Sequence, residues 1–150
     1  MTLVVPDERE PEGFHSRLRM CRIFWLALVL PWTVVMLAPN FIANWPGLPS
    51  PIIPPETFFH VVYGVGIAVF ALARFLRRRL SLPAAGQPPE FSRYLAGLLV
   101  SLTLAEGLAW VALALWVLTR EPRLFYTLQF ISGIALWLHR PKADEVRQFS

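Results

Sequence analysis

Between Tyr94 and Leu118 the chain runs for 25 residues with a single charged side chain, Glu106, at the centre. An apolar run longer than the roughly 20 residues needed to cross a bilayer core leaves little choice but a membrane-spanning helix. Three further apolar blocks accompany it: Ile23 to Ala38, Phe58 to Leu76 and Leu124 to Leu138. Their apolar residues are continuous instead of recurring at the helical or strand period, which marks membrane spans and argues against an amphipathic core. Charge agrees, because 16% charged residues falls well short of the ~25% that keeps a soluble domain wetted. The expected fold is therefore all-α: one polytopic integral membrane domain over residues 1–150. Its four transmembrane helices are expected at about 20–38, 57–76, 94–118 and 122–139.

Local signals refine each span. Arg17, Arg19 and Arg22 precede the first and can snorkel, letting that helix begin early. The stretch before it carries Asp7, Glu8, Glu10 and Glu12 and no convincing cleavage site follows, so it is read as a retained span. Pro31 lies mid-span, where it frees the carbonyl of Ala27. The last block is marginal in length and needs Pro122 through His139 to reach across.

Orientation follows from arginine. With both termini cytoplasmic, twelve Lys or Arg residues lie inside and only Arg120 and Arg123 outside. An outer loop over 39–56 then holds six prolines and reads as a rigid spacer. An inner loop over 77–93 is basic, and Arg77, Arg78 and Arg79 are candidates for contact with anionic lipid headgroups. Lys142 is the only lysine; with abundant Ala, Leu and Pro this points to a GC-rich, bacterial source and hence to the inner (plasma) membrane.

The chemistry available is sparse. The single Cys21 excludes an internal disulfide and reads as a small buried thiol. His15 and His139 fall at one edge and His60 at the other, so no pair at matched depth offers haem ligation. No metal-ligand cluster, phosphate loop or nucleophile elbow is present. No catalytic residue, metal or cofactor is expected, and the basic pI reflects topology, not nucleic-acid binding.

Glu106 has twelve residues on either side within its span, which places it near the midplane. An ionised carboxylate there costs several kcal/mol, so the neutral acid is the expected form. Ser101, Thr103 and Ser132 are its candidate supporting hydroxyls, Ser132 at similar depth and Gln129 a turn further out. Small residues recur beside it at Gly97, Ser101, Ala105, Ala109 and Ala112, a spacing that lets helices approach closely. Gly64, Ala68 and Ala71 on the second span and Gly133 on the fourth are the expected complements.

Residues Tyr63 to Leu118, with "ALARFLRRR" and "QPPEFSRYLAGLLVSLTLAEGLAWVALAL", resemble the helical-hairpin c subunit of rotary ATP synthases. The order is similar: a helix, a basic-polar loop, then a helix with a midmembrane carboxylate and an apolar run. The resemblance implies that Glu106 holds an exchangeable proton or cation and that Arg74, Gln87, Pro88 and Glu90 form the polar loop.

Two readings of function follow. One is a small non-enzymatic accessory or structural subunit, packed through small-residue seams against a membrane-protein partner or further copies of itself. The other is translocation of a proton or cation through Glu106 in an oligomer, since intramembrane acids are functional by default.

Overall fold

The computed structural model describes residues 13–43, 59–81 and 90–147, and all regular structure in them is helical. The order is α1 (Phe14–Ile42), α2 (Phe59–Ser81), α3 (Phe91–Thr119), α4 (Pro122–Leu138) and a short α5 (Ala143–Arg147). At ~1.5 Å per residue α1 and α3 are about 44 Å long and α2 about 35 Å. These three are long and apolar enough to cross a membrane, which is the architecture of a multi-pass membrane protein. α4 has 17 residues, or about 26 Å, and falls short of a ~30 Å hydrocarbon core.

Most of the expected loops over 39–56 and 77–93 lies outside the described residues. Where their ends are described, helix replaces loop. α1 continues through Pro39 to Ile42, with the Ala43 amide donating to the Pro39 carbonyl. Proline removes one backbone bond, whereas leaving the helix inside lipid would orphan several, so the helix persists. α2 carries on to Ser81 because arginine is a good helix former and Arg78 and Arg79 face the negative end of the helix dipole.

α3 and α4 form an antiparallel hairpin with only Arg120 and Glu121 between them. Arg120 adopts a left-handed conformation (φ 57°). Its amide donates to the Trp116 carbonyl, and its guanidinium lies 5.1 Å from the Trp116 ring centroid. The Glu121 carboxylate then accepts from the Arg123 amide at 3.2 Å, capping α4, and Pro122 occupies the first turn, where it needs no donor.

α3 is the central helix. Leu98, Leu102, Ala105, Ala109 and Ala112 are buried between α1, α2 and α4. The core divides along the bundle axis. Near α5, Phe14, Leu18, Cys21, Tyr94, Leu136 and Val146 gather around Leu98 and Leu102. Toward the α3–α4 turn, Val35, Val62, Trp116, Phe125 and Leu128 gather around Leu108 and Ala112. Outward faces are apolar too, as Leu30, Phe41, Ile67 and Phe130 show, which a bilayer accommodates and water would not.

α5 is an element that the apolar pattern does not announce. Glu145 accepts from both the Arg77 guanidinium and the Tyr94 hydroxyl (3.1 Å), tying α5 to α2 and α3. Glu145→Gln is expected to weaken that latch by about 1 kcal/mol, because the carboxylate is one-third exposed and partly screened. The check is amide hydrogen exchange, which should quicken several-fold over Ala143–Arg147 while the centre of α3 stays protected.

Candidate functional site

The site is built on the two faces of α3. Its buried face carries Gly97, Ser101, Ala105, Ala109 and Ala112, four and then three residues apart, so the stripe follows one side of the helix. Against α4, this stripe supplies backbone acceptors. Ser132 donates to the Ala105 carbonyl at 2.6 Å, and the Gln129 amide nitrogen donates to the Ala109 carbonyl at 3.3 Å. Both donors are buried, and among the described residues the Gln129 oxygen has no partner. Ser132 is thus spent on the Ala105 carbonyl, not on Glu106. Ser101 is buried and donates within its own helix to the Leu98 carbonyl at 2.8 Å.

Against α2 the contact is closer still. A Cβ on Gly97 would lie 2.8 Å from the Ser81 hydroxyl and 3.2 Å from the Arg77 carbonyl. The α2 side of the seam differs from expectation. Gly64 and Ala68 are exposed, with nothing within 4 Å of a Cβ at Gly64, and Ala71 is exposed as well. Val62, Gly66 and Ala73 face inward instead. A Cβ on Gly66 would meet Leu128 at 3.1 Å, so this glycine admits α4 rather than α3. The reason is that α2 has small residues on two faces, Gly64 and Ala68 on one and Gly66 and Ala73 on the other, and only the second is packed. Gly133 does accept a close neighbour, but from α1: a Cβ there would lie 2.8 Å from the Trp32 ring.

The other face of α3 carries Glu106. The side chain is half-buried near the middle of the helix, flanked by exposed Thr103, Gly107 and Trp110. Among the described residues its hydrogen-bond partner is the indole of Trp110, one turn along the same helix at 3.4 Å. A Cβ on Gly107 would find nothing within 4 Å. Glu106 therefore sits on an outward strip where Gly107 leaves open space beside the projecting Trp110 ring. Such a carboxyl can hold one proton and donate one hydrogen bond outward.

Several polar anchors escape sequence reasoning. The Trp25 indole donates to the Leu136 carbonyl at 2.9 Å, near the end of α4 where carbonyls lack helical partners. Gln129 was visible in the sequence, yet its inward direction and its Ala109 partner were not. Arg77 turns inward to Glu145 with little exposed side chain, which leaves Arg78 and Arg79 as the exposed pair of the basic run. Cys21 is buried. Among the described residues no group of three or more His, Cys, Asp or Glu side chains converges as a metal site would require. No family model, curated protein or solved structure matches the chain.

Proposed function

We propose that this chain is a small non-enzymatic subunit of a membrane assembly, docked to a neighbouring helix through the Glu106 face of α3. The observation that supports the reading is the position of Glu106: mid-helix, on an outward face, with Trp110 of the same helix as its hydrogen-bond partner. Facing lipid, that carboxyl is costly; against a second helix it becomes a donor to backbone or hydroxyl groups. Gly107 beside it leaves open space that a neighbouring helix can enter, next to the exposed Trp110 ring. The partner is a membrane protein or another copy of this chain.

In this reading α4 completes a fourth span by tilting or local thinning of the bilayer, and both termini lie on the cytoplasmic side of a bacterial inner membrane. The arginine distribution supports that orientation.

Glu106 supports a second reading through the same exposure. A carboxyl open to a subunit boundary is placed to exchange a proton, as the resemblance to the rotary c subunit implies. Substitution separates the two. Glu106→Gln keeps hydrogen-bonding groups and is expected to preserve assembly, whereas Glu106→Leu loses about 1–2 kcal/mol of association, roughly 5- to 30-fold. Assembly is read by cross-linking in native membranes, and proton flux in proteoliposomes by a pH-sensitive dye. Flux present in the wild type and abolished by Glu106→Gln establishes translocation; an equal loss of assembly in both variants sinks the hydrogen-bonded docking proposed here.

A further inference from the structure

Between Cys21 and Val35, α1 meets the bundle only through half-buried side chains, Trp25, Leu28 and Trp32, which pack against the core and leave a groove along its α4 side. This groove is a cleft of about 690 Å³ between α1 and α4, walled by Trp25, Val29, Trp32 and Met36 on one side and by Phe130 and Ile134 on the other. From Trp25 to Met36 the cleft follows about three turns of α1, about 16 Å, a length suited to an acyl chain. Its wall is almost wholly apolar.

At the α5 end the cleft meets a second pocket of about 550 Å³, which shares Trp25 and Trp137 with it. Here the chemistry reverses. Arg22, Arg140 and Lys142 line the pocket with Asp144; three positive charges against one negative leave a net +2. Arg140 is held at the rim by Trp137, its guanidinium 4.5 Å from a ring centroid. All three cations are exposed, and none forms an ion pair among the described residues.

We propose that this composite groove binds one anionic membrane lipid, with its phosphate at Arg22, Arg140 and Lys142 and an acyl chain in the α1/α4 cleft. The headgroup that matches best is a phosphate monoester, as in a phosphatidate, because its charge of about −1.5 to −2 complements the net +2. Cationic pockets between membrane helices hold phosphate headgroups in this way. The site lies on different helices from the Glu106 face and is independent of the proposed docking. It also differs from the Arg77–Arg79 run, since Arg77 is engaged by Glu145.

The test uses the full-length protein in mild non-ionic detergent, with bound lipid counted by native mass spectrometry. It is titrated with dioleoyl phosphatidate, dioleoyl phosphatidylcholine, dihexanoyl phosphatidate and inorganic phosphate. One equivalent of dioleoyl phosphatidate is expected, held at least about tenfold more tightly than phosphatidylcholine or the short-chain lipid, and not displaced by inorganic phosphate. The triple variant Arg22→Gln, Arg140→Gln, Lys142→Gln should remove the preference over phosphatidylcholine. Val29→Trp, which fills the cleft, should weaken dioleoyl phosphatidate and leave the short-chain lipid unaffected. Arg78→Gln with Arg79→Gln, outside the groove, should change nothing; helix content by circular dichroism verifies that each variant is folded. Equal retention of phosphatidylcholine, an equal loss in the Arg78/Arg79 variant, or displacement by inorganic phosphate overturns the proposal.

Discussion

Gly97→Val is expected to destabilise the helix bundle by about 2–3 kcal/mol, the upper part of the range for overpacking a close contact. Already at Cβ the new side chain would lie 2.8 Å from the Ser81 hydroxyl, 3.2 Å from the Arg77 carbonyl and 3.3 Å from the Leu80 Cβ. The hydroxyl can rotate away, but the Arg77 carbonyl is backbone within α2 and cannot move alone. Valine adds two methyl groups to that clash and so must push α2 off α3. The same displacement strains the Arg77–Glu145 pair, which is anchored about one turn from the end of α2. Gly64→Val is the matched control, because a side chain there enters open space and should shift stability by less than about 0.5 kcal/mol. Denaturation of the reconstituted protein by a graded detergent mixture, followed by tryptophan fluorescence, compares the two. Equal destabilisation by both would mean that the α2 face has been misassigned.

Phe125→Ala should cost about 3 kcal/mol, at the low end of the 3–5 kcal/mol found for buried aromatic truncations in soluble cores. Phe125 has no exposed surface and lies beside Trp116, at 6.4 Å between ring centroids, where α4 leaves the hairpin turn. In a bilayer the separated helices still enjoy an apolar solvent, so the transfer term shrinks and the lost packing and the cavity remain. Phe130→Ala removes an equal ring from an exposed position on the same helix and is expected to be near neutral by the same denaturation assay. That contrast measures packing, with hydrophobicity held constant.

Much of the helical framework is legible in the sequence because a bilayer demands long apolar runs, and the runs are there. The packed stripe of α3 is legible for a related reason: Gly97, Ser101, Ala105, Ala109 and Ala112 are regular and interrupted by no competing smooth face toward the core. On α2 the signal is ambiguous. Gly64 and Ala68 form one smooth line and Gly66 and Ala73 another, and small-residue spacing alone does not say which of them is packed. α5 is too short and polar for any periodicity to reveal, although acidic residues in its first turn and Arg147 in its last are proper helix signals. Its partner Arg77 lies 68 residues away, and pairing at that separation depends on the bundle being built first. Glu106 stands out in the sequence by depth alone. Its direction depends on which neighbours α3 buries, so Ser132, expected as its partner, goes instead to the Ala105 carbonyl.

The central claim is that the Glu106 face of α3 is covered by another helix in the assembled protein. The most direct measurement is the mass of the affinity-tagged full chain extracted from its membrane in mild detergent, for the wild type and for Gly107→Trp. Gly107 lies beside Glu106 with open space above it, so tryptophan there leaves the fold intact and blocks approach from outside. The wild type is predicted to run in an assembly heavier than the single 17.1 kDa chain, and Gly107→Trp to release it as that single chain. A wild type that is already a single chain, or a variant that stays in the same assembly, would contradict the account.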